Sequence, residues 1–80
     1  MDIKILFFGI AKDIVNKNSI EIEVNDTFNS VELKSLLKEK YPKFDAINDF
    51  SLAVNEAYIE GVYALKNNDV VAIIPPVSGG

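Results

Sequence analysis

Val70-Val71-Ala72-Ile73-Ile74-Pro75-Pro76-Val77-Ser78-Gly79-Gly80 is the stretch on which the fold turns. Its first five residues are apolar at every position, the pattern of a strand covered on both faces, so this strand belongs inside a sheet rather than at its edge. Pro75-Pro76 then ends it, because two fixed φ angles and two missing N–H donors leave no ladder to continue. One other segment has the same character: Ile3 to Phe8 is apolar except at Lys4 and is closed by Gly9. Two central strands, one near each end of the chain, frame everything between them.

Working inward, Ser19 to Val24 alternates Ile20, Ile22 and Val24 with Glu21 and Glu23, a half-buried strand with one wet face. The residues between it and the first strand, Ile10 to Asn18, carry Lys12, Asp13 and an Asn-Lys-Asn tip and suit a long hairpin connection with room for a turn of helix. Asn29 is placed to cap a helix, with Glu32 three residues on and Phe28 positioned to staple against Leu33. That helix runs from about Ser30 to Tyr41 with Leu33, Leu36, Leu37 and Tyr41 as its apolar stripe, and Pro42 stops it. Leu52 to Val54 and Ala57 to Ile59 form a pair of short strands joined through Asn55-Glu56, and Asn67-Asn68 makes a second turn before the final strand. A single main helix cannot cover both faces of a sheet. The expected architecture is therefore α+β: a mixed sheet of four to five strands with the helix on one face and the last strand parallel to the first, the β-grasp or ubiquitin-like roll. Residues 1–74 form this domain, and 75–80 form an extended C-terminal tail.

Composition narrows the chemistry. In 80 residues, 49% are hydrophobic and 25% charged, which places the chain among folded domains. At this length only about 60% of the unfolded chain's surface is buried, enough for one layer packing and no interlobe cleft. Cys, His, Trp and Arg are absent, which removes thiol nucleophiles, imidazole acid-base catalysis, Cys/His metal sites and guanidinium clamps. Eight Lys against twelve Asp plus Glu give a net charge of −4, so the chain repels phosphate backbones and nucleic acid is not an expected partner. No stretch approaches the roughly 20 apolar residues of a membrane span, and the N-terminus lacks signal-peptide organisation. A cytoplasmic protein with no bound metal or cofactor is the expectation.

Alternation in the two central strands leaves a question. If the helix covers Ile3, Ile5, Phe7, Val71 and Ile73, then Leu6, Phe8, Val70, Ala72 and Ile74 face the other way. Either this is an exposed apolar patch of the kind that marks a protein interface, or the loops at 10–18 and 43–50 fold over it. The tail carries its own signal. Pro75 and Pro76 stiffen it, and six residues at about 3.1 Å each would reach roughly 19 Å beyond the last strand. Gly79 and Gly80 bring no side chain, so a terminal carboxyl can thread a slot closed to other residues. The bland alternative is a frayed end or a cloning remnant.

These residues carry a resemblance. Leu6-Phe7-Phe8-Gly9 with Ala11-Lys12-Asp13, Val54-Asn55, Leu65 to Ala72, and above all Ile74-Pro75-Pro76-Val77-Ser78-Gly79-Gly80 make the chain similar to the MoaD-type sulfur carriers, the small-subunit family of molybdopterin synthase. Lys12 stands where that family usually has Arg, and Asn68 where it usually has Gly. The resemblance implies that the Gly80 carboxyl is adenylated by an ATP-using, E1-like enzyme, converted to a thiocarboxylate with sulfur from a donor such as a cysteine desulfurase or rhodanese, and delivered through Pro75, Pro76, Val77, Ser78 and Gly79 into the large catalytic subunit. It also implies docking through Phe8, Tyr58, Ile74 and Lys12, in an assembly of two carriers with two catalytic subunits. For Tyr58, a strand tyrosine with a wet hydroxyl is an equal alternative. The chain would then be a non-catalytic subunit. Carriers for thiamine, cysteine or tRNA thiolation, a ubiquitin-like modifier, and a β-grasp binding module with a passive tail are the competing readings.

Overall fold

The computed structural model describes residues 1–47 and 50–76. Five strands form one sheet in the order β2-β1-β5-β3-β4, with β1 at Asp2–Phe7, β2 at Ser19–Glu23, β3 at Ser51–Val54, β4 at Ala57–Tyr58 and β5 at Val70–Ile74. β1 runs parallel to β5, and the other pairs are antiparallel. The two mainly apolar segments thus lie side by side near the centre, as their patterns require, and the β-grasp expectation is borne out.

The helix that covers the sheet, α2, spans Ser30–Lys40. Asn29 caps it by accepting the Glu32 backbone N–H at 2.9 Å, which satisfies one of the donors a helix start leaves unpaired. Leu33 and Leu37 are fully buried, Phe28 nearly so, and Leu36 and Tyr41 are half-buried. Ser30 ties the helix start to the segment leading to β5: its hydroxyl donates to Gly61 O at 3.0 Å and accepts from Tyr63 N–H at 2.9 Å.

The structure corrects three expectations. The connection between β1 and β2 is more than a turn of helix: Gly9–Val15 forms a short helix, α1, with Ala11 and Val15 in the core and Asn16 closing it in the left-handed region at φ 60. Ala11, Ile14 and Val15 are spaced to bury one side of such a helix, but the polar tip masked that short period. The first strand ends at Phe7, one residue early, because Phe8 is the extended residue that starts α1 and Gly9 follows at φ +55. Lastly, the loop after α2 contains a 3-10 helix at Pro42–Ala46, and Phe44, Ile47 and Phe50 from this region are buried. Phe44 packs between Phe7 at 6.3 Å and Phe50 at 5.7 Å between ring centroids, in the tilted and edge-on arrangements aromatic pairs favour. The connecting loops therefore send Ala11, Ile14 and Val15 from one, and Phe44, Ile47 and Phe50 from the other, to the core on the helix side of the sheet. Among the described residues, Leu6, Ala72 and Ile74 on the opposite face stay half-buried and Phe8 exposed.

Candidate functional site

The strand register assembles that opposite face residue by residue. Leu6 pairs with Ala72, Ala72 with Ala53, and Ala53 with Tyr58. With adjacent strands about 4.8 Å apart, this row crosses roughly 14 Å of sheet with small residues in its middle and larger ones at its ends. Ile74 lies on the same face two residues beyond Ala72, and Val70 two residues before it. Leu6, Val70, Ala72 and Ile74 are half-buried, whereas Phe8 and Tyr58 are 50% and 69% exposed. On the helix side the same strands bury Ile5, Val71 and Ile73 completely. Large apolar side chains left this open on one continuous surface make it a candidate contact surface.

Phe8 follows the Phe7–Ile73 pair in the parallel register and so stands beside Ile74 at the end of the sheet where the chain leaves β5. Here an apolar groove of about 680 Å³ opens between Phe8, Ile10, Ile47, Pro75 and Pro76. Gly9 forms part of its floor, and a Cβ built there would lie 3.6 Å from the Pro75 ring. The close approach leaves space for a methyl group, so it is the left-handed φ of +55 that calls for glycine. Pro75 and Pro76 thus leave the sheet directly beside the exposed Phe8. The remaining tail residues Val77, Ser78, Gly79 and Gly80 lie outside the described residues.

Of the expected docking residues, the structure brings Phe8 and Ile74 together and places Tyr58 on the same face at the far edge. Lys12 stands apart from them. It is exposed on α1 one turn after Phe8, beside a shallow depression lined by Asp13, Asn16 and Lys17. Sequence reasoning missed Ile10, which is 54% exposed in the groove with Phe8 and the two prolines. Its signal was available: once Ala11 and Val15 face inward on a helix, Ile10 must face out.

The site's other support is polar. Asp69 is only 7% exposed, and its carboxylate accepts the Asn55 side-chain amide at 2.9 Å and the Lys66 N–H at 2.7 Å. Asn55 in turn accepts from Val70 N–H at 3.0 Å through its side-chain oxygen. This clasp ties the β3–β4 turn, and with it the strand carrying Tyr58, to the start of β5. Asp69 is a positioning and capping group here. Among the described residues, no group of three or more metal-ligating side chains is gathered together.

Fold and site together define a ubiquitin-like β-grasp domain with an open apolar sheet face beside the departure of its C-terminal segment. The chain belongs to the ThiS family, whose model matches residues 5–80. It is 43% identical over 81 residues to a molybdopterin synthase sulfur carrier subunit of Dictyostelium discoideum, covering 96% of this chain and 94% of that one. Among solved structures, it superposes on a putative molybdopterin converting factor subunit 1 of Pyrococcus furiosus with a TM-score of 0.84 and 26% identity, over 95% of this chain and 98% of that chain. It also superposes on a chain from the complex of subunits 1 and 2 of molybdopterin-converting factor of Helicobacter pylori, with a TM-score of 0.71, 30% identity and all of both chains covered. No helix among the described residues is long and apolar enough to cross a membrane.

Proposed function

We propose that this chain is a sulfur carrier of molybdenum-cofactor biosynthesis, the small subunit of a molybdopterin synthase. One observation carries the reading. A chain similar along almost its whole length to a molybdopterin synthase sulfur carrier subunit leaves its outer sheet face open beside Pro75 and Pro76, which lead toward Gly79-Gly80.

In this reading the large catalytic subunit is the partner, as in the Helicobacter pylori pair of subunits, with two carriers and two catalytic subunits in the assembly. Phe8, Tyr58 and Ile74 dock on it and Lys12 adds a rim charge, while Pro75 to Gly79 pass into its active site. The chemistry at Gly80 follows from its carboxylate. A carboxylate is a poor acyl donor, so one oxygen first attacks the α-phosphorus of ATP on an E1-like enzyme and pyrophosphate leaves. The terminal sulfur of a persulfide-bearing donor, of the cysteine desulfurase or rhodanese kind, then displaces AMP from the acyl carbon to give an acyl disulfide, and a second thiol, itself oxidised to a disulfide with the donor, cleaves the S–S bond and leaves the sulfur on Gly80. The resulting thiocarboxylate gives its sulfur to the pterin precursor. The partners contribute the catalytic groups, ATP is bound by the activating enzyme, and the cytoplasm is the proposed setting.

Met1's thioether is the only side-chain sulfur in the chain, and it cannot serve as a thiolate or sulfane donor. In this reading the transferable sulfur is therefore mounted on the backbone carboxyl of Gly80. Intact-mass analysis after incubation with the activating enzyme, ATP and a sulfur donor should show one oxygen replaced by sulfur, localised to Gly80 by fragmentation. An unchanged mass would end this reading and the other sulfur-carrier readings, and would leave the ubiquitin-like modifier and the passive binding module. Transfer to the pterin precursor by the reconstituted large subunit separates this pathway from other thiolation routes.

A further inference from the structure

Among the described residues the sheet has two open edges, and they differ. β4 is two residues long, whereas β2 offers five, Ser19–Glu23. Phe7 N–H donates to Asn18 O and Val24 N–H to Met1 O, each at 2.9 Å, within a register that pairs Ile5 with Ile20 and Ile3 with Ile22. In an antiparallel ladder this turns the backbone groups of Ile20, Ile22 and Val24 toward β1 and those of Ser19, Glu21 and Glu23 away from the sheet. The outer edge is therefore a ready set of strand-pairing donors and acceptors.

Side chains give this edge a definite chemistry. Glu21 and Glu23 are exposed on the outer face, while Ile20, Ile22 and Val24 lie on the helix side, packed on the core yet only half-buried. The charges are also unbalanced along the strand. Glu21 stands opposite Lys4, but Glu23 stands opposite Asp2, and like charges directly opposite each other are destabilising. A second copy of this chain is a poor occupant, since antiparallel self-pairing centred on Glu21 sets carboxylate against carboxylate.

We propose that the β2 edge receives an extended segment of a partner protein in which Lys or Arg alternates with Val, Ile or Leu. Its backbone pairs with Ser19, Glu21 and Glu23. Its cations lie across from the two glutamates on the outer face, and its apolar side chains complete the cover of Ile20 and Ile22. This is strand addition, with main-chain hydrogen bonds supplying affinity and alternate side chains supplying specificity. β2 and Tyr58 on β4 are at opposite edges, and Phe8 lies beyond the Leu6–Ser19 end of the β1–β2 ladder while Glu23 is at its other end, so failure of this contact would leave the sulfur-carrier reading intact.

The test is titration of a blocked synthetic peptide of alternating Lys and Val into the isotope-labelled full chain, followed by two-dimensional NMR and amide hydrogen exchange. Saturable shifts should centre on Ser19, Glu21 and Glu23, and these amides should gain exchange protection. The double variant Glu21→Lys/Glu23→Lys should weaken binding about tenfold or more, whereas Phe8→Ala and Tyr58→Ala should each stay within about twofold of the parent chain. Glu23→Lys alone replaces the repulsion from Asp2 with attraction, so its thermal midpoint should hold or rise while its peptide affinity falls. That combination excludes unfolding as the cause. Shifts centred on Leu6, Ala72 and Tyr58, no saturable binding at millimolar peptide, or a dimer through β2 by light scattering would each overturn the proposal.

Discussion

The two faces of the central sheet are made from the same strands and nearly the same amino acids, yet they have opposite fates. On the helix side, Ile3, Ile5, Phe7, Val71 and Ile73 are at most 2% exposed. On the outer side, Leu6, Val70, Ala72 and Ile74 remain half-buried, and Phe8 and Tyr58 stand in solvent. Along β1 and β5, parity is the whole difference. An apolar run thus has two possible causes, cover by the protein's own helix or cover by something else, and only the second leaves side chains available for recognition.

The sharpest way to break this contrast is to truncate neighbours of opposite parity. Phe7→Ala should cost about 3–5 kcal/mol, a large part of the total stability of a domain this size. Phe8→Ala should cost less than about 1 kcal/mol, since its ring is already half in water. Urea unfolding measures both, and equal losses would make the outer face a core.

Next in size, Asp69→Ala should cost about 2 kcal/mol by leaving the Asn55 amide and the Lys66 N–H without their partner. It should also loosen the β3–β4 hairpin, seen as faster hydrogen exchange at Ile59, whose N–H donates to Leu52 O at 3.1 Å. Asn29→Ala should remove about 1 kcal/mol through loss of the α2 cap. It acts on the covered face alone, so thermal unfolding should shift while docking through the outer face is preserved. The smallest change runs the other way. Asn55 and Glu56 both adopt positive φ, 50 and 73, as the two central residues of a type I′ turn must. Glu56→Gly should raise stability by a few tenths to about 1 kcal/mol, read from the urea midpoint, because glycine adopts that backbone without the Cβ penalty.

Much of this was legible in the sequence because local rules agreed with the global fold. The Asn29 cap, the stop at Pro42 and the uniformly apolar Val70 to Ile74 each named an element whose limits the structure matches to within a residue. What escaped was decided by contacts between distant segments. The α1 helix is only seven residues long, too short for its period to stand out, and it is held by burying Ala11 and Val15. Phe44, Ile47 and Phe50 sit among Lys, Asp and Asn, so their polar neighbours concealed a loop that fills the core. For the site, parity already separated Leu6 and Ile74 from Phe7 and Ile73. The alignment of Leu6 with Ala53 and Tyr58 through Ala72 depended on strand register, and the Asn55–Asp69 clasp on a pairing between residues 14 apart.

The central claim, that the open face is a docking surface and not an unfinished core, rests most directly on one calorimetric titration. The Phe8→Asp/Tyr58→Asp variant, checked for an unchanged fold by its amide NMR spectrum, is titrated against the large catalytic subunit alongside the parent chain. The account predicts a folded variant whose affinity for the large subunit falls by at least about a hundredfold, as expected when two clustered anchors are replaced by buried charges. A folded variant that binds as tightly as the parent would contradict it.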